Sequence, residues 1–328
     1  MGQITIFFFG VGGFGGLTLR SLIDSGVQVV GVCTRSDESS WLSLKNQWKL
    51  RIKRLFNVPD FERIIGDPYA GIPTPYKVSR KFDVPLYGHR DVRSTKFRAV
   101  VRQARPDLII SAGFPSLIPP AILGSAKLAA LNFHPGLLPK RAGATPSRSV
   151  ILNGDSESGL TVHHMTEHFD SGDNVFVSKV GVSPTDTFGD VERKVASHID
   201  EAVASILSAA YEDKERLSQK TKRKNRVPLN PKVNAELTRF DWSEPAEIIS
   251  RKIRSIQPRA VIPTKIDGHA VGIWDHELCP LDGSPSHIVQ IRNGYPIVAT
   301  GRGSILIKSV YDGVRVRKAG NIRWATSS

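Results

Sequence analysis

The stretch from Ile4 to Phe9 runs straight into Gly10-Val11-Gly12-Gly13-Phe14-Gly15-Gly16. A short apolar run ended by glycines is a buried strand handing over to a helix through a tight turn. Leu17, Leu19, Leu22 and Ile23 then recur at helical spacing, and residues 27–33 (VQVVGVC) form a second apolar run. Together they predict a βαβ unit, and hence an α/β fold with a parallel sheet. Gly10, Gly12 and Gly15 also satisfy G-x-G-x-x-G in the strand-then-helix context of dinucleotide sites. The second strand ends Cys33-Thr34-Arg35, without the acidic residue that holds a nicotinamide ribose; Arg35 would suit the 2′-phosphate of NADP. An NADP-dependent oxidoreductase and a plain structural turn are both open on this feature alone.

Further along, the 328 residues suit two domains. From Ser36 to about Pro85 the pattern is irregular. Lys45 to Arg54 is amphipathic and basic, and Asp67 to Pro75 is rich in turn formers. This predicts an insertion at about 36–80 carrying one helix. Regular elements return as a helix at 96–103, a strand at 107–111, a short helix at 119–123 and a strand at 129–133. Thr161 to Thr166 alternates as a half-exposed strand would. Residues 189–210 predict one long amphipathic helix, with Val191, Val195, Ile199, Val203 and Ile206 on one side. A charged stretch with the basic run 219–226 reads as a linker over 212–228. One helix over 245–257 follows. Short strands then come at 269–274, 287–291, 296–300, 304–309 and 313–317, the pattern of a small barrel or sandwich. The expected organisation is a first domain over 1–211, the linker, and a second domain over 229–328.

Charge and cysteines bound the setting. A net charge of +14 suits phosphorylated substrates, nucleic acid or an anionic surface. A noncatalytic RNA-binding protein would also carry such charge, but the basic runs lack the interleaved aromatics that stack bases. No run of 18 apolar residues predicts a membrane helix, and the N-terminus lacks the charge and cleavage pattern of a signal peptide. Cys33 and Cys279 lie far apart with no metal-ligand spacing, so no metal is expected and a reducing, cytoplasmic setting is.

Two constellations carry chemistry. Asn132 and His134 stand two apart at the end of a strand, so both project from one face, where open α/β sheets bind ligands. Asp170 sits in Phe169-Asp170-Ser171-Gly172-Asp173, which alone would read as a turn. Passing an acyl group to an amine needs a donor for the oxyanion, a base of near-neutral pKa, and a carboxylate to hold that base. An Asn-x-His pair plus one Asp supplies all three.

At these residues the chain resembles the N10-formyltetrahydrofolate-dependent formyltransferases. The likeness rests on several motifs in order: Leu131 through Pro139 (LNFHPGLLP), Asn153-Gly154-Asp155, Ser158 through His163 (SGLTVH) and Asp170-Ser171-Gly172. Phe240 through Ile248 (FDWSEPAEI) extends it into the second domain of two branches, those acting on methionyl-tRNA and on nucleotide-linked amino sugars. The purine-pathway glycinamide ribonucleotide branch lacks that domain.

The resemblance implies a Rossmann-like formyltransferase domain followed by a small OB-like β-barrel. It implies catalysis by Asn132, His134 and Asp170. It places N10-formyltetrahydrofolate as cosubstrate against Phe114, Leu137, Leu138, Phe169, Ser171 and Gly172, and acceptor contacts at Gly10, Gly12 and Arg141. The expected acceptor is a small amine on a nucleotide-linked sugar, with tRNA as the alternative partner, no membrane, and a homodimer left open. Two departures bear on the acceptor. Lys140-Arg141-Ala142-Gly143 stands where both branches have Arg-Gly after the Leu-Leu-Pro loop. Pro258-Arg259-Ala260 stands where they have Pro-Trp-Pro.

Overall fold

A computed structural model describes residues 2–35, 67–218, 227–231, 239–266, 268–322 and 324. The basic segment 45–54, most of the expected insertion and the run 219–226 lie outside the described residues.

The first body alternates strand and helix. In order it holds β1 (Thr5–Gly10), α1 (Gly12–Asp24), β2 (Gln28–Thr34), α2 (Pro75–Lys81), β3 (Leu86–Gly88), α3 (Thr95–Ala104) and β4 (Leu108–Ala112). There follow α4 (Pro120–Leu123), β5 (Ala129–His134), α5 (Pro146–Asn153), β6 (Glu157–His164), β7 (Asn174–Gly181), α6 (Phe188–Ala196), α7 (Ile199–Glu212) and α8 (Lys214–Ser218). The seven strands lie in the order β3-β2-β1-β4-β5-β6-β7. The first five are parallel, and β6 and β7 are antiparallel.

The phenylalanine run explains the sheet's position. Ile6 and Phe8 enter one apolar cluster with Leu19, Leu22 and Val203, while Phe7 and Phe9 enter another with Phe97, Val101 and Ile109. A strand buried on both faces has no polar face, so an unbroken apolar run is what it requires. Strand order reverses at β1, which puts the crevice between the ends of β1 and β4 where such sheets bind ligands.

The second body opens with α9 (Ala246–Ile256) and continues as β8 (Pro263–Ile266), β9 (His269–Cys279), β10 (Ile288–Arg292), β11 (Tyr295–Ala299), β12 (Ser304–Tyr311) and β13 (Val316–Lys318). These form an antiparallel sheet, β10-β11-β12-β9-β8, with β13 on β12. Ile249 and Ile253 of α9 fill its core with Val271, Ile273, Val298 and Ile305. The same helix touches the first body: Arg254 donates from Nη1 to the Asp186 carbonyl at 2.7 Å, and the Gly189 amide donates to the Gln257 carbonyl at 3.0 Å.

Several elements differ from expectation. The single helix over 189–210 is two. Thr187 and Asp190 form a capping box that starts α6. Ser197 then turns its hydroxyl back to the Lys194 carbonyl at 2.8 Å, a local bond that competes with the helix, and the chain leaves helical geometry at His198. The apolar spacing carries across the break, because Val191, Val195, Ile199, Val203 and Ile206 are all buried. The half-exposed strand is β6, buried from Ser158 to His164, because β5 and β7 flank it and Leu137 presses on Gly159. Part of the expected insertion is helix α2, and α5, β3, β7 and β8 lacked a readable pattern.

Both cysteines are buried and unpaired, and burial, then the Asp91 charge, pushes the Cys33 thiol up to about 12. No described helix is long and apolar enough to cross a membrane.

One prediction arises in the second body. His276 on β9 hydrogen-bonds Ser250 of α9 at 2.8 Å, and burial, then the Arg254 and Lys308 charges, holds its pKa at about 4. The unfolded ring titrates at about 6.5. Below that pH the unfolded chain binds the proton and the folded chain does not. Stability is therefore full above pH ~6.5 and falls by roughly 3 kcal/mol as pH drops toward the folded value. Urea unfolding at pH 7 and pH 4.5 should show a smaller pH loss in His276→Gln than in the unsubstituted chain; equal losses would contradict it.

Candidate active site

The site is built where β5 ends. Asn132 and His134 occupy alternate positions of β5, facing His163 and Thr161 across the antiparallel β6 ladder. Asp170 comes from the loop joining β6 to β7 and adopts a left-handed backbone, φ +52°. Ser171 ties that loop to itself, its hydroxyl reaching the His168 carbonyl at 3.1 Å and Thr166 Oγ1 at 3.2 Å. Gly172 leaves no room for a side chain, since a Cβ there would stand 1.8 Å from the His164 carbonyl oxygen.

His134 is 5% exposed. Its Nε2 donates to the Arg141 carbonyl at 2.8 Å, so Nδ1 is the nitrogen free to take a proton. Nδ1 faces Asp170 Oδ1 at 3.5 Å. Burial lowers the His134 pKa and outweighs the Asp170 charge, which raises it, so the ring rests neutral at neutral pH. Asp170 favours the charged form of the ring, and burial outweighs it until a proton arrives.

Asp170 is also buried, which by itself would raise its pKa. His163, the His134 ring and the Gly143 amide, which donates to Oδ2 at 2.8 Å, more than offset burial and hold the carboxyl below the ordinary range. The carboxylate is thus the fixed charge of the site.

Sequence reasoning did not assign a role to His163. Its Nδ1 donates to the His164 carbonyl at 2.8 Å, leaving Nε2 to accept from Asn132 Nδ2 at 3.1 Å and to face Asp170 Oδ1 at 3.6 Å. This contact sets the Asn132 amide with its nitrogen toward the histidines and leaves a second N–H for another acceptor. The signal lay in ladder register, which pairs Asn132 with a residue 31 positions away.

The other expected residues divide. Leu138 is buried, its amide donating to Thr161 Oγ1 at 3.2 Å, and Leu137 is half-buried beside it. Phe114 follows β4 and packs edge-on against Phe9 with centroids 5.5 Å apart. Phe169 stands 42% exposed next to buried Asp170. Gly10 closes β1 against the Ala112 carbonyl, and Gly12 takes φ +69° at the start of α1.

Arg141 is placed differently from expectation. Its guanidinium is buried in an ion pair with Asp155, with Nε donating at 2.6 Å, and Nη1 reaches Asn230 Oδ1 at 3.3 Å. Its carbonyl serves His134, and its side chain holds the loop together. Asn230, another residue without a sequence signal, donates its side-chain amide to the Lys140 and Ala142 carbonyls at 2.9 and 3.0 Å. It thus clamps the loop that carries Gly143. Among the described residues no group of three His, Cys, Asp or Glu side chains could hold a metal.

Comparison with known proteins fits this arrangement. A family model described as formyl transferase matches residues 3–207, and one described as formyl transferase, C-terminal domain, matches 232–317. The methionyl-tRNA formyltransferase of Geobacillus thermodenitrificans is 29% identical over 299 residues, covering 90% of this chain and 85% of the relative. Two solved structures share the fold. HypX from Aquifex aeolicus, in complex with tetrahydrofolic acid, aligns with a TM-score of 0.58 at 17% identity over 97% of this chain and 46% of HypX. This chain therefore spans about half the length of HypX. An N-formyltransferase from Helicobacter canadensis, in complex with folinic acid and dTDP-3-aminofucose, gives 0.61 at 14% identity, covering 93% and 99%.

Proposed function

This chain belongs to the formyl transferase family, and from that premise we propose that Asn132, His134 and Asp170 transfer a formyl group from N10-formyltetrahydrofolate to a primary amine. The observation that carries this reading is the buried cluster itself: a neutral imidazole with one basic nitrogen, a fixed carboxylate 3.5 Å from that nitrogen, and a side-chain amide with an unused N–H.

When bound, the folate supplies an activated formyl carbon. Asn132 offers its remaining N–H to the formyl oxygen, where negative charge grows as the amine adds. His134 takes the proton of the attacking amine at Nδ1 and returns it to N10 as the tetrahedral adduct collapses, which breaks the bond from the formyl carbon to N10 and releases tetrahydrofolate. Asp170, held by the Gly143 amide, stabilises the ring in that charged form and keeps its orientation. The apolar Leu137 and Leu138 loop and the Phe114 and Phe169 rings hold the folate and keep water from the formyl group.

For the acceptor we favour a small amine carrying phosphate, such as a nucleotide-linked amino sugar. The net charge of +14 and the two departures from the patterns of both branches support a specialised, anion-accepting acceptor site. Methionyl-tRNA is the second reading, supported by likeness to a methionyl-tRNA formyltransferase over nine-tenths of the chain.

The test is tetrahydrofolate release from N10-formyltetrahydrofolate, with nucleotide-linked amino sugars in one arm and charged initiator tRNA in the other. Turnover with a sugar supports the first reading. Turnover only with tRNA, falling steeply with salt as phosphate contacts require, supports the second. No turnover with either, and no folate binding, would sink the transfer reading.

A further inference from the structure

Three side chains meet where the two bodies of the chain come together. Arg148 lies in the first turn of α5, Phe188 opens α6, and Arg259 follows α9. The Arg148 guanidinium lies over the Phe188 ring, 4.9 Å from its centroid, and that of Arg259 lies over the same ring at 5.2 Å. Phe188 is buried, and both arginines remain partly exposed. Stacking on one ring holds two like charges near each other.

Little around them balances the charge. Among the described residues, neither guanidinium hydrogen-bonds or ion-pairs with a carboxylate. Glu192, whose charge does act on Arg148, is already bound by Ser147 Oγ at 2.6 Å and by the Tyr69 hydroxyl at 2.8 Å. The first turn of α5 carries no acidic residue, so Arg148 adds to the positive end of that helix instead of opposing it. Burial and then the Arg259 charge both act against the Arg148 cation. Guanidinium forks pair with phosphate oxygens, and an arriving anion would relieve the repulsion between these two charges.

The place is also apt. Ser147, one residue before Arg148, reaches the Pro135 carbonyl at 3.5 Å, and a side chain at Gly136 would meet Pro146. The first turn of α5, which carries Arg148, therefore adjoins the loop that leaves His134. Arg259 occupies the position where both resembled branches carry tryptophan, so the chain has put a cation in place of an indole.

We propose that Arg148 and Arg259 together bind a phosphate of the acceptor substrate, an assignment that rests on formyl transfer to a phosphorylated amine. The phosphate is that of a nucleotide-linked amine or of a tRNA backbone, and the two sources are separable.

The test is titration calorimetry of the full chain with inorganic pyrophosphate, on the unsubstituted protein and on Arg148→Gln, Arg259→Gln and Arg259→Lys. Loss of a charge-assisted contact should weaken binding about ten-fold or more in each Gln variant. Arg259→Lys should lose less, and His134→Asn should bind as the unsubstituted chain does. Displacement of pyrophosphate by UDP assigns the site to nucleotide-linked acceptors; displacement only by a CCA-ended RNA hairpin assigns it to tRNA. Equal binding by both Gln variants and the unsubstituted chain, or no binding by the latter, overturns the proposal. Arginine-dependent pyrophosphate binding without formyl transfer to any acceptor means the transfer reading has failed, and the acceptor assignment with it, while the anion site stands.

Discussion

Replacing His134 by asparagine is expected to lower kcat by roughly 10²–10⁴-fold while leaving folate binding nearly unchanged. The asparagine amide falls where Nδ1 stands, so it still faces Asp170 but without basicity, while the Arg141 carbonyl gives up the donor that His134 Nε2 supplies at 2.8 Å. What disappears is the basic Nδ1 facing Asp170. The unsubstituted enzyme should show the corresponding pH dependence. Burial holds the ring's pKa below the ordinary value, against the pull of Asp170, so the ring stays neutral down to a lower pH than an exposed histidine would. The acid limb of kcat/KM should thus lie below about pH 6.5, the usual histidine value, and vanish in the variant. Stopped-flow tetrahydrofolate release across pH 5–9 measures both. A variant with near-normal turnover, or an acid limb above pH 7, would contradict the role assigned to His134.

The second large effect comes from a residue with no functional atom. Gly172→Ala sets a Cβ 1.8 Å from the His164 carbonyl oxygen, a contact that cannot exist without backbone movement. His164 ends β6 and is already held there, its amide donating to the Asp173 carbonyl at 2.9 Å. The turn must open, and Asp170, two residues earlier in a left-handed conformation, moves with it. A displacement near 1 Å at a reacting group costs about 10²-fold in rate. Overpacking of this kind also destabilises by about 1–3 kcal/mol. Activity should therefore fall about a hundred-fold in a protein that still folds, as judged by its thermal unfolding. A folded Gly172→Ala enzyme with full kcat would show that the turn does not position Asp170.

Much of the fold and part of the site could be read from residue order. The apolar run through Phe7, Phe8 and Phe9 demanded a strand buried on both faces, and β1 is one. Asn132 and His134, two apart before Pro135, had to share a face of one strand. The less legible parts depend on contacts between distant segments. His163 meets Asn132 only through the β5–β6 register. Asn230 reaches the Ala142 loop across 88 residues, and no pattern around it announces that. Arg141 carries a charge that sequence reads as available, yet its partner Asp155 comes from beyond α5. The break at His198 was hidden because apolar spacing survived it.

These misses share a cause. Periodicity reports which face of an element is buried and says nothing of what it is buried against. Local motifs report a turn or a strand end. Pairing between polar side chains is set by tertiary register, and that is where the histidine pair, the loop clamp and the paired arginines arise.

The central claim is that this buried cluster moves a formyl group to an amine. The most direct measurement follows a carbon-13 formyl label from N10-formyltetrahydrofolate into acceptor by NMR, for the unsubstituted chain and for Asn132→Ala, His134→Asn and Asp170→Asn. The account predicts label on the acceptor nitrogen with the unsubstituted enzyme and its appearance slowed at least about a hundred-fold in each variant. Label that never leaves the folate with any acceptor, or that moves equally fast in all four proteins, would contradict it.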